Sequence, residues 1–188
     1  MQRQRALHNL QMAAYSLRDD LGSKAAVRYG ARSYQLNPQL ELVADVRAFE
    51  ASLARARGAT GDTLIQALSK ALELYRGPLL AEAAWQWLEP VRAAHQSRYV
   101  QAALRLAEVL APLDAARSDG LAEAVLAVAP ETDDAYERLI LNARRARDLN
   151  AFRRQIRRYE KAAAQHGFPM NPHLTDDLGG SAGIRAAR

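Results

Sequence analysis

The sequence predicts a mainly α fold, in which a single helix and a short β-hairpin precede a series of paired helices. Three observations predict it. Apolar residues recur at three- and four-residue spacing along most of the chain. Residues that favour a pleated surface gather between Ala26 and Leu36. Glycines, prolines and capping residues divide the remainder into helical lengths joined by links of a few residues. At 188 residues and 49% hydrophobic, the chain has enough apolar surface for a core and is not a disordered polymer.

The elements follow in order. Leu7, Leu10, Ala14, Leu17 and Leu21 line one face of a first helix, and Gly22 stops it. Ala26–Tyr29 and Ser33–Leu36 then read as a hairpin around a Gly30-Ala31-Arg32 turn, with Gly30 supplying turn flexibility and Asn37-Pro38 closing it. Leu40 and Leu42 alternate with Glu41 as a third short strand. Asp45 caps a helix over 46–57 that ends at Gly58. Gly61-Asp62 opens the next, with Leu64, Ile65, Leu68, Leu72 and Tyr75 inward and Gly77-Pro78 at its end. A long helix runs from Pro90 to Leu110, where Tyr99, Ala102, Ala103, Leu106, Val109 and Leu110 mark the buried stripe and Pro112 the stop. Helices over 114–129 (with Gly120 as a break), 133–147 and 150–166 complete the set. From Pro169 the chain reads as a loose tail, with one turn over 173–178.

Composition removes several classes of function. There is no cysteine, so disulfides, thiolate metal sites and cysteine nucleophiles are excluded. His8, His95, His166 and His173 lack the spacing of a metal site. No phosphate-binding glycine loop, nucleophile elbow or carboxylate pair against an apolar stretch is present, so neither an enzyme nor a cofactor is expected. No apolar run reaches the length of a membrane span, and a cytoplasmic protein without membrane contact is expected. The net charge of +5 is concentrated late: residues 138–161 hold nine basic and two acidic side chains. Arg153, Arg154, Arg157 and Arg158 fall on the outer face of the last long helix, opposite Phe152, Ile156, Tyr159 and Ala163. They are candidates for contact with an acidic protein or nucleic acid, and a solvated helix face is the bland alternative. Trp85 and Trp87, in the link before the long helix, read as packing anchors between helix pairs, with a ligand-stacking site as the alternative.

Antiparallel pairs of this length suggest a tetratricopeptide-like repeat, although the spacing is not a regular 34 residues. Four motifs in order then carry a specific resemblance: Leu17-Arg18-Asp19-Asp20-Leu21-Gly22 with the hairpin; Asp45-Val46-Arg47-Ala48-Phe49-Glu50; Leu74-Tyr75-Arg76-Gly77-Pro78-Leu79-Leu80; and Trp87-Leu88-Glu89-Pro90-Val91-Arg92, leading into Ala103-Leu104-Arg105-Leu106-Ala107-Glu108. Together they resemble the bacterial transcriptional activator domain of the antibiotic regulatory proteins, joined to the end of a response-regulator-type winged helix. The resemblance covers roughly residues 7 to 165.

That resemblance implies a division of labour. Residues 1–44 would be the recognition helix and wing of an incomplete winged helix, 45–168 the tetratricopeptide-like domain, and 169–188 a flexible tail. Arg3, Arg5, His8, Asn9 and Ser16 would face the DNA groove and Arg28 and Arg32 would sit on the wing. The helical domain would mediate self-association, as a homodimer, or hold a partner helix on its concave side. In a whole winged helix further elements precede the recognition helix, and here the chain begins at Met1 without them. Asp19-Asp20 stand where members of that family tend to carry basic or neutral residues, and carboxylates near phosphates oppose binding. Those two features favour a second reading, a helical interaction module that does not bind DNA and in which the helix and hairpin are a structural cap.

Overall fold

The computed structural model describes residues 2–40 and 44–175, with side chains from Gln4 to Leu174. The chain divides into two compact units between Ala44 and Asp45. The first holds α1 (Gln2–Asp20), β1 (Val27–Gly30) and β2 (Ser33–Leu36). α1 ends in a Schellman motif: the N–H of Ser23 donates to the Arg18 carbonyl and that of Gly22 to the Asp19 carbonyl, with Gly22 at φ 64°.

The two strands pair antiparallel, with Val27 opposite Leu36 and Gly30 opposite Ser33. The turn residues are therefore Ala31 and Arg32, at φ 49° and 62°. Gly30, which the sequence nominates for the turn, is instead the last residue of β1. Two L-residues hold a turn that favours Asn-Gly. Of the third strand expected over Leu40–Leu42, Leu40 lies at a bend and its N–H donates to the Asn37 carbonyl, while Glu41 and Leu42 lie outside the described residues.

A small core of Ala14, Ala26 and Val27, with Tyr34 against it, joins α1 to the hairpin. Arg18 Nε reinforces it by donating to the Val27 carbonyl at 2.9 Å. The leucine stripe of α1 is otherwise uncovered within this unit, and Leu7 and Leu10 are each 51% exposed. Size explains this. Strands of four residues span about 13 Å, whereas a helix of 19 residues spans about 28 Å. The hairpin reaches only the middle of the stripe.

The second unit is built from α2 (Asp45–Ala56), α3 (Gly61–Leu74), α4 (Glu89–Leu110), α5 (Ala115–Val128), α6 (Asp133–Arg145), α7 (Leu149–His166) and the short α8 (Pro172–Thr175). From α2 to α7 each helix packs on the next, and α4 also touches α6. Short links make α2–α3, α4–α5 and α6–α7 antiparallel hairpins. Their first helices start at Asp45, Glu89 and Asp133, a constant 44 residues apart. Each start places a carboxylate at the positive end of the helix dipole.

Two clusters form the core. Ala56, Leu64, Leu68, Ala102, Leu106 and Leu110 fill one, between α2, α3 and α4. Val125, Tyr136, Leu139, Ile140, Phe152, Ile156 and Tyr159 fill the other. A buried polar chain crosses the latter region: Asn142 Nδ2 donates to Ser118 Oγ at 2.9 Å, and Ser118 Oγ donates to the Ala107 carbonyl at 2.7 Å. α5 runs unbroken through Gly120, since a lone exposed glycine weakens a helix without stopping it. Asp148 caps α7 by accepting from Asn150 N and Ala151 N.

The chain beyond α7 is packed further than a loose tail implies. Phe168 sits against Tyr136 and Tyr159, Asn171 N donates to Tyr159 Oη at 2.7 Å, and Leu174 is buried. The turn predicted over 173–178 appears at Pro172–Thr175, and 176–178 lie outside the described residues.

Candidate functional site

In the first unit, Arg5, His8, Asn9 and Ser16 are all exposed on α1. Helical geometry places them on one face, opposite the leucine stripe, with exposed Met12 between them. Arg3 has no described side chain. Arg28 is exposed on β1 opposite Gln35, on the hairpin face that does not carry Val27. Arg32 stands at the turn. Asp19 is also exposed, three residues beyond Ser16 and seven beyond Met12, and so shares their face. Asp20, four residues beyond Ser16, is exposed beside it, so the arrangement offers arginines for phosphates, side chains able to read base edges and two opposing carboxylates.

On α7, Arg153, Arg154 and Arg157 are exposed as the periodicity predicts. Arg158 is exposed too, and unlike those three it is held in an ion pair. Its guanidinium forms a bidentate pair with Glu123 of α5, at 2.5 and 2.8 Å, and lies 5.7 Å from the Tyr136 ring centre. The hydrogen bond to Glu123 raises its already high pKa. Arg158 is thus a strut between α5 and α7.

The first helices of the hairpins border a groove. Glu50, Arg57, Arg98 and Arg105 line one part of it, and Arg105, Glu108, Asp134 and Arg138 the next, with Gln101 and Arg105 common to both. Arg98 pairs with Glu50 across α2 and α4 at 2.5 Å. Mixed charge on a groove of this kind suits a charged helix or extended peptide better than a nucleic acid, whose charge is of one sign.

A second feature of this unit has no counterpart in the expectations from sequence. His95 on α4 is 6% exposed, and neither ring nitrogen has a hydrogen-bond partner. Its ring lies 4.7 Å from that of Phe49 and stacks at 5.1 Å on Tyr75, which in turn stacks on Tyr99 at 4.1 Å. Burial pushes the His95 pKa down, against the pull of Glu50 and Asp45, so the ring is neutral at pH 7. A buried polar group without a partner costs about 1–3 kcal/mol. His95 lies four residues before Tyr99, on the buried stripe of α4, and that position is the signal that could have found it.

His95 also borders a cavity of about 510 Å³ formed by the start of α2, the link between α3 and α4, and α4 itself. Arg92 shapes its wall. It donates from Nε to the Leu79 carbonyl at 2.7 Å and from Nη2 to the carbonyls of Leu80 and Ala83, while Nη1 pairs with Glu89. Leu80 is held at φ 47°. Trp85 and Trp87 do not anchor helix pairs: they are 53% and 64% exposed and stack on each other at 5.7 Å. The carbonyl clamp of Arg92 and the buried Leu88 hold the link, which leaves both indoles facing outward.

No protein-family model, curated protein or solved structure matches this chain. Among the described residues no group of histidines and carboxylates is placed to hold a metal ion, and no helix is long and apolar enough to cross a membrane.

Proposed function

We propose that the chain is a regulatory and interaction module of a bacterial transcriptional regulator of the antibiotic regulatory protein type. In this reading α1 and the hairpin meet DNA, and the helical hairpins carry self-association and contacts with protein partners. The observation that supports it is the construction of the first unit. One face of α1 exposes Arg5, His8, Asn9 and Ser16, and the Arg18–Val27 hydrogen bond ties that helix to a hairpin that exposes Arg28 and Arg32. Arginines at a hairpin position the protein on phosphates, and a polar helix face reads base edges.

The test is a fluorescence anisotropy titration with random duplex at two salt concentrations. Two phosphate contacts, from Arg28 and Arg32, give a log–log slope of about −1.8, or roughly twelvefold weaker binding between about 50 and 200 mM salt. Absence of binding, or binding indifferent to salt, removes DNA from the reading. One observation favours that second outcome: Asp19 stands on the same face as the groove candidates, where it repels phosphate. The chain would then act through its helical hairpins alone.

A further inference from the structure

We infer that the outer face of α7, with the hollow at its start, is a docking site for an extended acidic peptide that carries one bulky apolar side chain. The inference rests on the reading that the helical hairpins contact protein partners, and it is independent of DNA binding by the first unit.

Three observations on one stretch of chain support it. The first is a group of unpaired cations. Arg153, Arg154 and Arg157 are exposed, and among the described residues none of them makes an ion pair, whereas Arg158 beside them is held by Glu123. Arg157 stands four residues from Arg153, three from Arg154 and four from Lys161, so like charges meet along the helix and disfavour it. Glu160 is the only acidic residue of α7. Cations gathered on one face in this way suit an anionic partner.

The second is the hollow, of about 340 Å³, bordered by Arg144, Arg147, Asp148, Leu149 and Phe152. Leu149 is 67% exposed there, and the space accommodates one bulky side chain. The carboxylate of Asp148 is engaged by the N–H groups of Asn150 and Ala151. The third is Arg147. α6 ends in a Schellman motif, in which Asp148 N donates to the Ala143 carbonyl and Arg147 N to the Arg144 carbonyl. Its left-handed position, at φ 55°, falls on Arg147, whereas Gly22 and Gly167 take that position after α1 and α7. An arginine is thus held at the hollow in a conformation that favours glycine.

Spacing sets the register of the ligand. Leu149, Arg153 and Arg157 follow at four-residue intervals, with a rise of about 6 Å from each to the next. An extended chain advances about 6.8 Å every second residue. An apolar side chain in the hollow therefore brings the side chains two and four positions along to Arg153 and Arg157, where carboxylates pair with the guanidinium groups. A nucleic-acid strand would meet the cations but leave Leu149 and the hollow uncovered, so a peptide fits better.

The experiment is a titration of the ¹⁵N-labelled full chain with the peptide Glu-Ser-Glu-Ser-Phe-Ser-Glu-Ser-Glu, whose pattern reads the same in both directions. It should shift the amides of residues 147–157 saturably. Replacing its Phe by Ala, or every Glu by Gln, should each weaken binding about tenfold or more. Arg153→Glu combined with Arg157→Glu, at exposed positions, should lose the peptide and bind instead the counterpart with Lys in place of each Glu. Leu149→Ser should cancel the advantage of Phe over Ala. Random duplex DNA should shift none of these amides. Absence of saturable shifts, equal binding of the Gln peptide, unchanged binding in the paired arginine variant, a preference for Phe that survives Leu149→Ser, or shifts of the same amides by duplex would each overturn the inference. DNA binding through α1 and the hairpin is read from other resonances, so its absence and the absence of peptide binding are separate results.

Discussion

Two buried rings of opposite acid–base character give this protein two limits of pH. His95 is held neutral by burial, so its folded pKa lies below that of the unfolded chain. As pH falls through the ordinary histidine range, near 6.5, the unfolded state takes up a proton that the folded state refuses, and stability falls. Tyr159 behaves in the opposite sense. Burial lifts its hydroxyl up to about 12, above the ordinary tyrosine value of 10.0. Its contribution is complete below pH 10 and is lost as pH rises from there towards 12, to a total of about 2–3 kcal/mol. Urea denaturation across pH should therefore show a plateau that declines on the acid side with His95 and on the alkaline side with Tyr159. His95→Phe should flatten the first decline and leave the second, whereas Tyr159→Phe should leave the first and reduce the second, to which Tyr75, Tyr99 and Tyr136, also raised by burial, contribute.

Sequence reading at this scale succeeded where one helix decides the outcome. The inward positions of Phe152, Ile156, Tyr159 and Ala163, and the exposure of Arg153, Arg154 and Arg157, follow from periodicity alone. It failed where a partner from another element decides. Nothing local to Arg158 announces Glu123, 35 residues away, and nothing local to Trp85 and Trp87 announces that Arg92 will hold their link by its carbonyls. His95 was passed over because its environment comes from Phe49 and Tyr75 on the preceding hairpin.

The hairpin is the element under strain. Ala31 and Arg32 both hold the left-handed conformation, at roughly 1 kcal/mol each or more for residues with a Cβ. Replacing the pair by Asn-Gly should stabilise the hairpin by about 1–2 kcal/mol, read as slower amide exchange at Arg28 and Gln35, which form a hydrogen-bonded pair of the ladder. The same change separates structure from recognition. If the chain binds DNA as proposed, Ala31→Asn alone should leave that salt-dependent binding intact, whereas Arg32→Gly should weaken it and reduce the salt slope by about 1. The strand positions were legible because Val27, Tyr29 and Tyr34 favour a pleated surface. The turn was not, because Gly30 looks like the natural place for positive φ. Pairing Gly30 with Ser33 shortens the expected Gly30-Ala31-Arg32 turn by one residue, to Ala31 and Arg32, and register depends on both strands.

Across the whole molecule, burial is uneven, and so local stability should be uneven too. α1 contributes only Ala14 to a buried cluster, whereas α4 contributes residues to both clusters of the second unit. Native-state hydrogen exchange should find the amides of residues 5–12 exchanging at least about a hundredfold faster than those of residues 102–110. Equal protection in the two segments would contradict this account of the core. The mainly helical class and the order of elements were readable from spacing and punctuation. The 44-residue recurrence of hairpin starts was hidden, because helices of 12, 22 and 13 residues follow those starts and no sequence motif repeats with them. The placement of both indoles in one outward-facing stack has a practical consequence for anyone melting this protein. Fluorescence will register the loosening of a single surface link, while the helices beneath it melt without optical notice until circular dichroism is used to follow them.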